Sequence, residues 1–345
     1  MKKNKRISPF LLSIAMLAAI IVIFAVYVFL APNSNTTTGS KSQYLLIPDN
    51  ATFETITDQL AETGALKSIL TFTLTAKAYG YKNIKPGRYE INPGINNLRL
   101  VHKLKTGRQS ALKLTFNNIR TKEQLAGRLS RQIMADSASI LQHLNDSAFL
   151  TKYELNPNTS VALFIPDTYE VFWDMDAEEL FERMKKEYDR FWNDERKGKA
   201  AQIPMTAVEV STLASIVEEE TNSKSERPMV AGLYINRLKT EMPLQADPTV
   251  KFAYGDFSLR RITGTHLRIQ SPYNTYKNKG LPPGPIRLAT ASGIDAVLNY
   301  SKHNYIFMCA KETLNGEHNF AATYAEHQVN AKKYQKALDD RKIFE

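Results

Sequence analysis

Residues 9 to 31 form an unbroken run without a charged side chain, rich in Leu, Ile, Ala, Val and Phe. Lys2, Lys3, Lys5 and Arg6 stand directly before it. In hydrocarbon the backbone N–H and C=O groups of a lone span must be satisfied within the segment, which only a helix achieves. As a helix the run reaches about 34 Å, enough to cross a core of about 30 Å. A secretory signal peptide has an apolar region of about 7–15 residues that ends at a small-residue cleavage site. This run is longer, and Tyr27, Val28, Phe29 and Leu30 occupy the place where small residues would be needed. The pattern predicts an uncleaved anchor over 9–31. The basic flank, 1–8, is expected on the cytoplasmic side, with everything after Pro32 beyond the membrane. No second apolar run of spanning length follows, so the expectation is a single-pass protein of the cytoplasmic membrane.

At 345 residues the chain exceeds what one core usually holds, so two or three domains are expected. Its net charge is +10. Part of that sits in the basic flank, and the remainder forms no stripe interleaved with aromatics, which argues against nucleic acid as a partner. A mildly basic outer part suits an anionic membrane surface or wall polymer. The single cysteine, Cys309, lies in the apolar stretch from Tyr305 to Ala310. It reads as a packed thiol in a buried strand rather than a nucleophile. No Cys/His cluster has metal-ligand spacing and no Gly-rich phosphate loop appears, so neither a metal nor another cofactor is expected.

The polar stretch 32–42 reads as a linker. After it, Tyr44–Pro48 reads as a strand, Ala51–Ala61 as a turn and helix, Ser68–Tyr79 as a second helix, Lys85–Ile91 as a turn and strand, and Asn97–Thr106 as a third helix. Leu112–Phe116 is a further strand, and Thr121 can cap the helix that follows. Gln-Leu-Ala recurs at 59–61 and 124–126, a weak internal echo of two small α/β modules. Ser137–Asn156 and Ala177–Arg196 each read as one helix. The stripe Phe181, Met184, Tyr188, Phe191 on the latter is the spacing of a packing face. Between them, Phe164–Phe172 reads as a turn and a strand.

The run LASIVEEET, 213–221, carries the most chemistry. On a helix beginning near Thr206, Val210, Leu213, Ile216 and Val217 share a face. Glu220 falls on that same face, whereas Glu218 and Glu219 point elsewhere, toward water. A carboxyl among apolar side chains has a raised pKa and can hold a proton for a leaving group. Acidic residues at a helix end are, however, most often solvated surface. Ser225 is placed to cap the next helix, with Glu226, Arg227 and Pro228 in its first turn. Gly232 in that helix permits close approach, expected against the glutamate helix. Asn236 sits near its end, an ordinary place for a polar residue. Gln245 and Asp247, two apart in an extended stretch before Pro248, would face the same way. Tyr273, Asn274 and Tyr276 lie in a loop stiffened by Gly280–Ile286. Aromatic faces and an amide suit a sugar groove, and suit a surface turn with half-buried tyrosines equally well.

Taken in order, Ala214–Thr221, Ile235–Leu238, Leu244–Thr249, Tyr273–Tyr276 and Gly280–Ile286, with Phe164–Tyr169 upstream, resemble the endolytic murein transglycosylase family (MltG, YceG-like). The resemblance spans nearly all of the chain after the linker. It implies an α+β protein: an anchor helix over 9–31, a LysM-like α/β domain over 43–110, a second α/β module with connecting helices over 111–203, and an α+β catalytic domain over 204–345. In the family the catalytic glutamate directly precedes a threonine in an Ile-Glu-x-Glu-Thr-like motif, which is Glu220 here. Thr221, Asn236, Gln245, Asp247, Tyr273, Asn274 and Tyr276 are the implied substrate-binding set. Position 246 is Ala where the family often has Thr, and Gln328 follows His327 where Asn is common.

The reaction implied is cleavage of the β-1,4 bond between N-acetylmuramic acid and N-acetylglucosamine inside peptidoglycan glycan strands. It leaves 1,6-anhydro ends and so trims or terminates nascent strands, with Glu220 as acid and then base. Synthases of the elongation or division machinery are the implied protein partners. Two rivals remain open at this level: a lysozyme-like hydrolase using water, and a wall-binding scaffold without activity.

Overall fold

A computed structural model describes residues 8–35, 41–259 and 261–341. The basic flank lies outside the described residues, apart from Ser8. The chain divides into two compact units, one holding the chain through Leu114 with Gln132–Met134 and Tyr169–Asp176, the other Thr115–Arg131, Ala135–Thr168 and Ala177 onward.

The first unit begins with helix α1, Pro9–Leu30, whose mean hydropathy reaches 2.9 and whose side chains are almost all exposed. Then come β1 (Gln43–Ile47), α2 (Phe53–Glu62), α3 (Ile69–Ala78), β2 (Gly87–Ile91) and α4 (Asn97–Thr106). β1 and β2 pair antiparallel with Leu45 opposite Tyr89 and Ile47 opposite Gly87. The period of two sends Leu45, Ile47, Tyr89 and Ile91 into the core. Ile56, Leu60, Phe72, Leu100 and Leu104 from the helices meet them there. Thr52, Ser68 and Asn96 cap the three helices through their side chains. Gly107 closes α4 at φ 73°, the left-handed geometry that favours glycine.

Pro32–Asn35, read in the sequence as linker, instead belong to this unit. Asn33 and Ser34 are buried, and Pro32 and Ser34 form β-bridges to Asn96 and Leu66. The amide of Asn33 donates to Asn97 Oδ1 at 2.6 Å, and Asn97 Nδ2 donates to the carbonyl of Val28 at 2.8 Å. The end of the apolar helix is thereby tied to α3 and α4 through side chains that satisfy its open carbonyl.

β3 (Leu112–Phe116) and β4 (Asp167–Val171) form a two-stranded sheet and each runs from one unit into the other. The second unit holds α5 (Lys122–Ser130), α6 (Ser137–Asn145), α7 (Ser147–Thr151), α8 (Ala177–Phe191), α9 (Asp194–Gln202), α10 (Ala207–Glu220), α11 (Arg227–Lys239), α12 (Asp247–Tyr254) and α13 (Ala291–Leu298). The antiparallel pair β5 (Phe307–Ala310) and β6 (His318–Ala321) and the helix α14 (Tyr324–Asp340) complete it.

Two long helices expected from the sequence are each split by a capping residue. Asp146 accepts from the backbone N–H groups of Ala148 and Phe149 and starts α7. Asn193 accepts from Arg196 N and starts α9. A side chain that satisfies the first free N–H groups makes a new start as favourable as continuation. Phe181 and Met184 are buried, and Tyr188 and Phe191 pack against a core built around α10. Cys309 is half-buried in β5 rather than fully enclosed, and burial still holds its thiol pKa up.

Candidate active site

α10 starts on a capping box, with Thr206 accepting from Glu209 N and the Glu209 carboxylate accepting from Thr206 N. Every residue from Val210 to Glu218 is buried. α9, α11, α12 and α13 all pack against this helix. The consequence corrects the sequence reading of the three glutamates: the side of the helix away from Glu220 does not meet water.

Glu218 is 4% exposed. Its carboxylate accepts from Arg227 Nη1 at 2.7 Å and from Thr290 Oγ1 and N at 2.6 and 2.9 Å. Thr290 is the N-cap of α13, so the negative charge sits where that helix presents free N–H groups. A Cβ on Gly293 would come within 2.5 Å of the Glu218 carboxyl carbon, which fixes glycine there. Glu219 receives Arg120 through Nε and Nη2, both at 3.0 Å, and Arg287 at 2.8 Å. Both carboxylates are thus paired with guanidinium groups, Glu219 with the Arg120 fork and Glu218 with one nitrogen of Arg227.

Among the described residues Glu220 has no such partner. Its side-chain hydrogen bond among them comes from the Tyr234 hydroxyl on α11, at 2.7 Å to Oε1. Burial pushes its carboxyl up to about 7. The Tyr234 bond opposes that, the Asp247 charge adds to it, and His318 and Arg237 pull it back. Asp247 opens α12, with Pro248 in the first turn, and accepts from Tyr276 Oη at 2.6 Å. The stretch before Pro248 is therefore helical from Asp247 on, not extended. Proline suits the first turn because its missing N–H would have had no partner there.

Of the residues singled out in the sequence, the structure gathers Glu220, Asp247 and Tyr276 around one carboxyl. Thr221 is buried beside it and donates to Glu226 Oε2 at 2.7 Å, a carboxylate that also accepts from the backbone and ring of His318. The rest have other settings. Asn236 donates to the carbonyls of His303 and Tyr305 at 2.7 and 3.0 Å and so ties α11 to the segment before β5. Asn274 is fully buried. Its amide donates to Leu267 and Ile269 carbonyls and its oxygen accepts from Tyr276 N, which shapes the loop from within. Gln245 is exposed at φ 50°, with its N–H on the Thr275 carbonyl. Tyr273 packs its ring against Phe252 at 4.7 Å. The cap of α11 is also different: Glu226 occupies that position, without a side-chain cap bond, and Ser225 does not.

Three neighbours of Glu220 were given no role in the sequence reading: Tyr234, Arg237 and His318. Arg237 is 8% exposed. It donates to the carbonyls of Ile306 and Leu244, placing a fixed positive charge near Glu220. Tyr234 and Arg237 are three apart on one helix, the spacing that puts two side chains on a common face. That face was a signal available in the sequence. Among the described residues no group of His, Cys, Asp and Glu is arranged to hold a metal ion.

The profile of the YceG-like family matches residues 45–333. A Bacillus subtilis protein named endolytic murein transglycosylase is 30% identical over 305 residues, 84% of this chain and 83% of that one. A Streptococcus pneumoniae protein of the same name is 27% identical over 323 residues, and there the chain spans 57% of its relative. Among solved structures, a yceG-like protein of Listeria monocytogenes is 28% identical with a TM-score of 0.55, covering 84% of this chain and 99% of that one. By the match over 45–333, together with this level of identity, the chain belongs to the YceG-like family.

Proposed function

We propose that the protein is a membrane-anchored endolytic lytic transglycosylase of peptidoglycan, with Glu220 as its acid and base. The observation that carries this reading is the contrast within the triplet. Glu218 and Glu219 are paired with arginines, while Glu220 is partly exposed, is held by one neutral hydroxyl and has its carboxyl pushed up to about 7. The names borne by the relatives point to the same chemistry.

Protonated Glu220 gives its proton to the glycosidic oxygen as the C1–O4 bond of the muramoyl unit breaks. The C6 hydroxyl of the same sugar then bonds to C1 and returns its proton to the Glu220 carboxylate. No water is consumed, the enzyme regains its starting protonation, and the product ends in a 1,6-anhydro ring. A single carboxyl near neutrality fits both transfers. Asp247, with Tyr276 on one oxygen, is placed to raise the carboxyl pKa and to favour positive charge at the anomeric carbon.

The length and apolarity of α1 support anchoring in the cytoplasmic membrane, N-terminus inside, with the chain after α1 on the wall side. The strand–helix–helix–strand order of β1, α2, α3 and β2 supports a LysM-like reading of 43–110. Cleavage at the membrane would trim or terminate nascent strands, which makes synthases of the elongation or division machinery the expected partners.

Product masses test the assignment. Wild type should release anhydro ends from peptidoglycan strands, and Glu220→Gln should release them at least about 10³-fold more slowly. Products heavier by one water would identify a hydrolase, and undiminished release by the variant would remove Glu220 from the chemistry.

A further inference from the structure

Two cavities in the second unit share Arg120 and Phe257. One, of about 60 Å³, is lined by Arg120, Glu219, Pro248, Lys251, Phe257 and Ile286. The other, of about 340 Å³, includes Lys122, Phe252 and Tyr273. Their walls join residues adjacent in the chain to the catalytic set: Glu219 precedes Glu220, Pro248 follows Asp247, and Tyr273 precedes Asn274. One wall is aromatic. Arg120 lies over the Phe257 ring at 5.3 Å, Phe257 is 6.3 Å from Phe252, and Phe252 is 4.7 Å from Tyr273.

The other wall carries Arg120, Lys122 and Lys251, with Glu219 and Glu123 among them. Glu219 is already shared by Arg120 and Arg287. Arg120 uses Nε and Nη2 on it, which leaves Nη1 without a hydrogen bond among the described residues. Lys122 donates to the neutral Asn145 Oδ1 at 2.7 Å. Lys251, half-buried, makes no hydrogen bond or ion pair among the described residues. An ammonium kept in a recess without a counter-charge is a site for an anion. The sugars of a peptidoglycan strand are neutral once the muramoyl lactyl group is amide-linked to its peptide. The carboxylates of the substrate therefore belong to the stem peptide.

We propose that this cleft is a subsite for the stem peptide, with Lys251 and Arg120 Nη1 receiving a peptide carboxylate and the Phe257–Phe252–Tyr273 wall receiving its aliphatic side chains. It rests on the transglycosylase reading above, extending it from the glycan to the peptide-substituted glycan. Such a subsite makes the enzyme prefer strands that still carry peptides.

Full-length protein would be given peptide-bearing strands and the same strands stripped by an amidase. The ratio of kcat/KM for bearing over stripped strands should fall at least about tenfold in Lys251→Glu, and about threefold in Lys251→Ala, through KM. An unchanged ratio in both variants overturns the subsite. A second arm needs no turnover: binding of a muramoyl peptide with a free terminal carboxylate, against its C-terminal amide, to the Glu220→Gln protein. The free acid should bind about tenfold tighter, and Lys251→Glu in that background should abolish the difference. Equal binding of acid and amide overturns the subsite even if no strand is cut. Failure of wild type to release anhydro ends, with the binding difference intact, would instead strike the transglycosylase reading.

Discussion

At the residue scale, the proposed chemistry rests on the environment of one carboxyl, and its neighbours set the pH at which it would work. If protonated Glu220 starts the reaction, the rate falls as pH rises through about 7. The Tyr234 hydroxyl donates to the carboxylate and so favours its charged form. Tyr234→Phe should therefore move the alkaline limb of kcat/KM to higher pH. Asp247 disfavours a second negative charge, so Asp247→Asn should move the limb to lower pH. Shifts of the same sign in both variants would rule out this electrostatic account. The raised pKa also has a folding cost with a defined direction. Folding favours the protonated form, so the contribution of Glu220 to stability is full below its ordinary value of 4.5 and is lost as pH rises through about 7. Glu220→Gln, neutral throughout, should be more stable than wild type by about 1–3 kcal/mol at pH 8, and by almost nothing at pH 4. Urea midpoints at the two pH values measure this. Helical spacing put Glu220 on the face of Val210, Leu213, Ile216 and Val217, and the catalytic role came from the family resemblance. Spacing could not show that Glu218 and Glu219 are enclosed, because their arginines and Thr290 arrive from distant parts of the chain.

At the scale of elements, the sequence was legible wherever local chemistry marks a boundary. Thr52, Ser68, Asn96, Thr121 and Thr206 each start a helix close to where the periodicity begins. It was less legible where two signals compete, as at Asp146 and Asn193, where a capping side chain interrupts an otherwise helical pattern. Gly232 shows the other limit. A helical glycine announces close approach without saying to what. The partner is not α10 but the segment after α13: a Cβ there would overlap the Ser301 carbonyl and press on the His303 ring. The same His303 carbonyl receives Asn236, so α11 is seated against this segment at two successive turns. Gly232→Ala should cost about 1–3 kcal/mol, the range for overpacking in a rigid site. The urea midpoint should fall with the slope unchanged, whereas an unaltered midpoint would mean the segment can move aside.

At the scale of the whole chain, the apolar run was legible as a helix long and apolar enough to cross a membrane, but not how firmly its end is held. The run ends in a helix whose last turn is not free. Val28 is 3% exposed, and its carbonyl accepts from Asn97 and from Thr75 Oγ1. Asn97 in turn receives Asn33, which also bonds the backbone of Ser68 in both directions. Nothing in local spacing joins residues 28, 33, 68 and 97, because such a polar cluster exists only once α1, α3 and α4 have come together. A helix leaving a bilayer has open carbonyls that water would otherwise satisfy. Here side chains do so instead, and the first residues after the apolar helix are fixed rather than left as a tether. Asn97→Ala removes both bonds of that amide and leaves the Asn33 side chain bonded to the Ser68 backbone alone. The loss of about 1–3 kcal/mol for a broken buried polar pair corresponds to local opening that is roughly five- to a hundredfold more frequent. Limited proteolysis of the full chain in lipid vesicles reads it directly. Cleavage within Ala31–Asn35 should accelerate by that factor, while release of anhydro ends stays intact because the second unit is untouched. Cleavage at the wild-type rate would mean that the bridges of Pro32 and Ser34 alone hold the segment.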